Sequence, residues 1–169
     1  MRVLLYHISV FIHIISAMVW VGGILFMVLV IVPLLRKKDL KSSAATLVQK
    51  VGVQFRLVGW ISLILLLITG IFNLGFRGYH WSDLWSGALW QGSFGHILAV
   101  KLLFVSLIYL ISAVHDFYIG PKATELWQED PASPKAKKLR KAASWIGRLN
   151  LIFALIVVFE AISLVRGPA

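Results

Sequence analysis

The chain has 169 residues, 59% of them apolar and 14% charged, with no cysteine and a formal net charge of +10. A soluble domain runs about 45–50% apolar and about 25% charged, so this balance points to lipid as the solvent. The lack of thiols excludes disulfides, iron–sulfur clusters and thiolate-bound zinc. The basic residues bunch between apolar runs, which excludes nucleic acid and marks them as orientation signals and contacts for anionic lipid.

The sequence therefore predicts an all-α integral membrane protein, a single four-span domain over residues 1–169 built as a bundle of four transmembrane helices. The apolar runs lie at about 3–35, 51–76, 94–119 and 145–165, each reaching the roughly 20 residues that cross about 30 Å of hydrocarbon. The first run far exceeds the roughly 7–15 apolar residues of a signal peptide, and its positive cluster follows it. It is read as a mature helix that tilts or projects, with Pro33 in its final turn.

The first connection carries Arg36, Lys37, Lys38, Lys41 and Lys50, and the third carries Lys122, Lys135, Lys137, Lys138, Arg140 and Lys141, whereas the second carries only Arg77. The bias puts both termini outside and the basic connections in the cytoplasm of a bacterial-type inner membrane. The outer connection, Tyr79–Trp90, holds Tyr79, Trp81, Trp85 and Trp90, the composition of a segment lying at headgroup depth. Ser93 reads as the N-cap of the third span, with His96 in its first turn. The third connection reads as a solvated loop with room for a short amphipathic helix. No internal repeat or soluble domain is evident. Gly22, Gly23, Gly59 and Gly70 are available for close helix contact or for a flat cofactor.

An ionisable side chain at membrane depth costs at least about 2.5–3.5 kcal/mol, so each is a functional candidate. They are His7, His13, His96, Lys101, His115 and Glu160. Lys101 and Glu160 come out at one depth, about 8–10 Å below the outer surface. They are read as partners: either an ion pair that fixes register, or catalytic groups, Lys101 meeting a cofactor carboxylate and Glu160 relaying a proton. His13 shares a stripe with Ser16, Trp20, Gly23 and Met27, and His7 is turned from it by about 120°. The two cannot clasp one metal from a straight helix, so each needs a partner on another helix.

That arrangement suits a b-type haem held by imidazoles from separate helices, with His13, His96 and His7 as ligands and Trp20 and Gly23 beside the ring. His115 is the candidate for a second metal site nearer the cytoplasm. Copper is the competing ion. With no Cys, and with Met18 and Met27 on opposite sides of one helix, a thiolate or thioether route is weak, leaving imidazole ligands such as His7, His80 and His96. No hydrolytic triad, HExxH or phosphate loop is present.

The stretches His13-Ile-Ile-Ser-Ala-Met-Val-Trp20-Val-Gly22-Gly23, Gly95-His96 through Lys101-Leu102 to His115-Asp116-Phe117 and Gly120-Pro121-Lys122, and Arg148-Leu149-Asn150-Leu151 resemble the CopD-type copper-resistance membrane domain over nearly the whole chain. Lys122 stands where that family usually has arginine. The first-helix pattern with a later lysine is also similar to HemJ-type protoporphyrinogen oxidases, haem-b membrane proteins, and that likeness maps His13 and Lys101 onto positions essential there. Phe26-Met27-Val28 replaces the Leu-Pro-Arg of those enzymes. Both resemblances imply a histidine-bearing four-helix unit that handles a redox metal.

The sequence alone thus favours a haem-b electron-transfer protein, with quinone or a redox protein as partner and a homodimer enclosing the macrocycle. Copper handling is the alternative, with porphyrinogen oxidation as a further one.

Overall fold

A computed structural model describes residues 1–35, 37–40 and 43–166. Its helices are α1 (Arg2–Phe26), the short α2 (Val32–Leu34), α3 (Ala44–Phe76), α4 (Trp81–Ser86), α5 (Gly92–Val114), α6 (Gly120–Glu129) and α7 (Pro134–Arg166), with no strand among the described residues. Four helical stretches are long and apolar enough to cross a membrane: Arg2–Leu34, Ala44–Phe76, Gly92–Glu129 and Pro134–Arg166. The expected all-α bundle of four spans is what the chain forms. Large apolar side chains such as Phe11, Leu29, Leu57 and Phe159 cover its exterior, as suits a surface facing lipid rather than water.

Two of the spans contain a wide turn just before a proline. Pro33 has no N–H to give the helix, and its ring crowds the carbonyl of the preceding turn. The chain absorbs this with a π turn at Met27–Ile31, where the Val32 N–H reaches back to the Met27 carbonyl. The same solution recurs ahead of Pro121, with a π turn at His115–Ile119 and the Gly120 N–H on the His115 carbonyl. Each of these helices is followed by an antiparallel helix of 33 residues, α3 or α7. The bundle is thus two helical hairpins of like construction, a repetition the sequence pattern does not reveal.

Two further expectations change. The third connection is almost wholly helical: the π turn passes straight into α6, and only Asp130–Ser133 separate it from α7. Arg140 stacks its guanidinium 3.5 Å from the centre of the Trp127 ring, while the buried Ala123 and Ala136 let α6 and α7 approach closely. The cap of α5 is Gln91, in extended backbone, with the helix starting at Gly92 rather than after Ser93. Buried Gly95 fixes that start, because the 3₁₀ turn Ala88–Trp90 rests its backbone where a side chain would stand.

The core lies around Trp20, Ile24, Leu63, Ile108 and Ala154. At its α1–α3 seam a Cβ on Gly23 would overlap the ring of Phe55, and one on Gly59 would meet Trp20 at 3.5 Å. Aromatic rings of this chain therefore fill the spaces that these glycines leave. Gly22, one residue away, has open space beside it. Gly23→Ala should destabilise the protein by about 1–3 kcal/mol through overpacking, whereas Gly22→Ala should be neutral or stabilising by up to about 1 kcal/mol. Thermal unfolding in detergent, comparing the two variants, checks this.

Candidate functional site

The end of the bundle that carries the basic connections holds one concentrated polar cluster. It is built on the π turn that Pro121 forces. Asp116 points at α3, where its Oδ2 accepts from Trp60 Nε1 at 3.0 Å and its backbone carbonyl accepts from Arg56 at 2.9 Å. Its Oδ1 accepts from His115 Nδ1 at 2.9 Å. The Phe117 ring closes the cluster, 5.5 Å from Trp60 and 5.8 Å below the Arg56 guanidinium. One turn away on α5, the buried Ser112 accepts from Asn150 Nδ2 at 2.9 Å, and the buried Oδ1 of Asn150 has no partner among the described residues.

At the opposite end, Ser9 donates to Asn73 at 2.9 Å and His13 Nδ1 lies 2.7 Å from Thr69 Oγ1. The single hydroxyl proton of Thr69 goes to the Leu65 carbonyl at 2.6 Å, so the imidazole is the donor to Thr69. His96 Nδ1 donates to the Gly92 carbonyl at 2.7 Å, one turn back on its own helix. His13, His96 and His115 therefore all spend Nδ1–H on a fixed acceptor. In the neutral ring that leaves each Nε2 as a lone pair, the form in which histidine binds metal.

The surroundings of the three differ. Lys101 acts electrostatically on His13, so a positive charge lies in the surroundings of that imidazole. His96 is exposed at the start of α5. His115 is held by a carboxylate, balanced by a guanidinium that bonds the backbone rather than the carboxylate itself. Of the three, His115 is the one whose field tolerates a cation.

The other sequence expectations fare unevenly. His7, His13 and His96 do not converge: among the described residues no group of three His, Cys, Asp or Glu side chains is placed to hold a metal ion. Trp20 is buried in the core and the space beside Gly23 is taken by Phe55, so neither leaves a slot for a porphyrin. Lys101 and Glu160 form no ion pair. A depth estimated from sequence says nothing of azimuth: at about 100° per residue Lys101 falls on the inward stripe of α5, while Glu160 is roughly 90° off the stripe of Asn150, Ala154 and Val157. Trp60 and Arg56 were not singled out as site residues from the sequence. Their signal was available in the polar Arg-x3-Trp spacing, one helical turn apart at the basic end of an apolar span.

The aromatic segment is as expected in composition and exposure. Trp81 and Trp85 are 67% and 87% exposed, Tyr79 stacks on Phe94 at 5.2 Å, and Trp90 Nε1 donates to the Leu84 carbonyl.

Comparison with known proteins matches residues 49–164 to the family described as copper resistance protein D. A protein of Aquifex aeolicus (strain VF5), described as uncharacterized, is 35% identical over 158 residues, 93% of each chain. No solved structure matches.

Trp60→Phe keeps the ring and removes the donor to Asp116. It should cost about 1–3 kcal/mol, the penalty for leaving a part-buried acceptor unpaired, read as a lowered unfolding midpoint in detergent.

Proposed function

The chain belongs to the copper resistance protein D family, and on that premise we propose that it handles copper in the membrane, taking the ion at the His115–Asp116 pair. The observation that carries this reading is the 2.9 Å contact from His115 Nδ1 to Asp116 Oδ1. A carboxylate that holds one ring nitrogen fixes the tautomer and raises the basicity of the other, the arrangement found behind metal-bound histidines. Placement on a π turn, a feature enriched at functional sites, adds support. So does the extent of the family match: Arg56, Trp60, His115 and Asp116 all lie within residues 49–164, whereas His7 and His13 lie outside.

Copper is cargo in this proposal. An imidazole nitrogen backed by a carboxylate, with no thiolate or thioether beside it, favours Cu(II) over Cu(I). Trp60 and Arg56 orient Asp116, Asp116 orients His115, and the ion meets Nε2. The Lys and Arg bias of the connections supports a cytoplasmic position for this end of the bundle, in an inner membrane with both termini outside. His13 joins α1 to α3, and Lys101 keeps the neighbourhood of His13 unsuited to a bare cation.

Elemental analysis and Cu(II) titration of detergent-purified protein test the proposal. One copper per chain is expected for the wild type and for His96→Ala, with binding lost in His115→Ala. Asp116→Asn should weaken affinity by about 10–100-fold. Unchanged copper in His115→Ala, or a Soret band in a copper-free sample, overturns it.

A further inference from the structure

The membrane-facing side of the α1–α3 seam carries a shallow groove of about 390 Å³, lined by Lys50, Val51, Gln54, Phe55 and Val58. One of its walls, the Phe55 ring, packs against α1 in the space that Gly23 leaves. The lining follows helical spacing along one side of α3, so the groove runs with the helix axis and not across it. It is open along its length to the surrounding hydrocarbon. Polarity is confined to one end: Lys50 and Gln54 are exposed there, while Val51, Phe55 and Val58 continue the groove into the apolar span.

A cation at the rim of an apolar trough that runs along the membrane normal matches one chemistry. We propose that the groove binds an anionic phospholipid, its headgroup phosphate on Lys50 and one acyl chain along Val51, Phe55 and Val58. Charge complementarity favours this occupant over a second copy of the chain, which would bring another strongly basic end against Lys50. The ammonium of Lys50 has no ion-pair partner among the described residues. The exposed Lys37 and Lys38 lie in the connection that precedes α3, and each basic residue near an anionic surface strengthens attraction appreciably. The proposal is independent of copper handling.

Delipidated protein in detergent, titrated with phosphatidylglycerol and with phosphatidylcholine of identical acyl chains, provides the test by native mass spectrometry. Wild type should prefer phosphatidylglycerol. Lys50→Gln, a surface change that leaves folding intact, should weaken phosphatidylglycerol about fivefold and leave phosphatidylcholine unchanged. Val58→Trp, which fills the trough, should weaken both. Equal binding of the two lipids by wild type, or phosphatidylglycerol affinity unaltered by Lys50→Gln, overturns the proposal. So does a wild-type dimer that Val58→Trp converts to monomer, because the groove would then be an interface between copies.

Discussion

Hydrocarbon offers no competing hydrogen bonds, so a polar side chain at membrane depth gains most from a partner inside the bundle, and the partnerships that form set how the helices face one another. In this chain the pairs cross different seams. Ser9 with Asn73 and His13 with Thr69 join α1 to α3. Tyr109 with the Leu63 carbonyl, and Asp116 with Trp60, join the second hairpin to α3. Asn150 with Ser112 joins α7 to α5. Each contributes only about 0.6 kcal/mol by the measure of membrane helix pairs. Their collective effect is geometric, because apolar side chains pack nearly as well against lipid as against a neighbouring helix and do not choose a rotation by themselves.

The same constraint sorts the histidines. A ring that donates Nδ1–H to hold two elements together presents Nε2 as a by-product, and whether that lone pair meets a cation depends on the charges around it. For His13 that charge is Lys101. Beside His115 a carboxylate is in direct contact. Position in the bilayer, which gave the aromatic-end imidazoles their prominence, is therefore a weaker guide than the sign of the nearest charge.

The number of spans was legible in the sequence and azimuth was not. Apolar run length found the four long apolar helices, and Trp81 and Trp85 of the aromatic segment are exposed. Hydropathy has little periodicity when every outward face is apolar, so it says little about which side of a span meets protein. Lys101 and Glu160 illustrate the loss: counting residues along the helices made them partners, and they form no ion pair. The glycines illustrate it again. Gly22, Gly23, Gly59 and Gly70 were read as available for close contact or a flat cofactor; Phe55, Trp20 and His13 approach the last three, and Gly22 has open space beside it. The polar turn around Asp116 was hidden because its partners, Arg56 and Trp60, lie about sixty residues away.

The two hairpins share a frame and differ in what they place on it. Met27 and His115 each open a π turn and each precede the following proline by six residues, while His13 and Lys101 each precede it by twenty. In the first hairpin the wide turn begins Met27-Val28, and Val28 packs against the core. In the second it begins His115-Asp116 and turns its polar groups to α3. The proline imposes the backbone deformation in both, so the deformation itself does not create a site. What does is the replacement of an apolar pair by an imidazole and a carboxylate at a turn whose widened geometry is already required. One copy of the frame thereby packs apolar side chains into the core, and the other turns a carboxylate to α3.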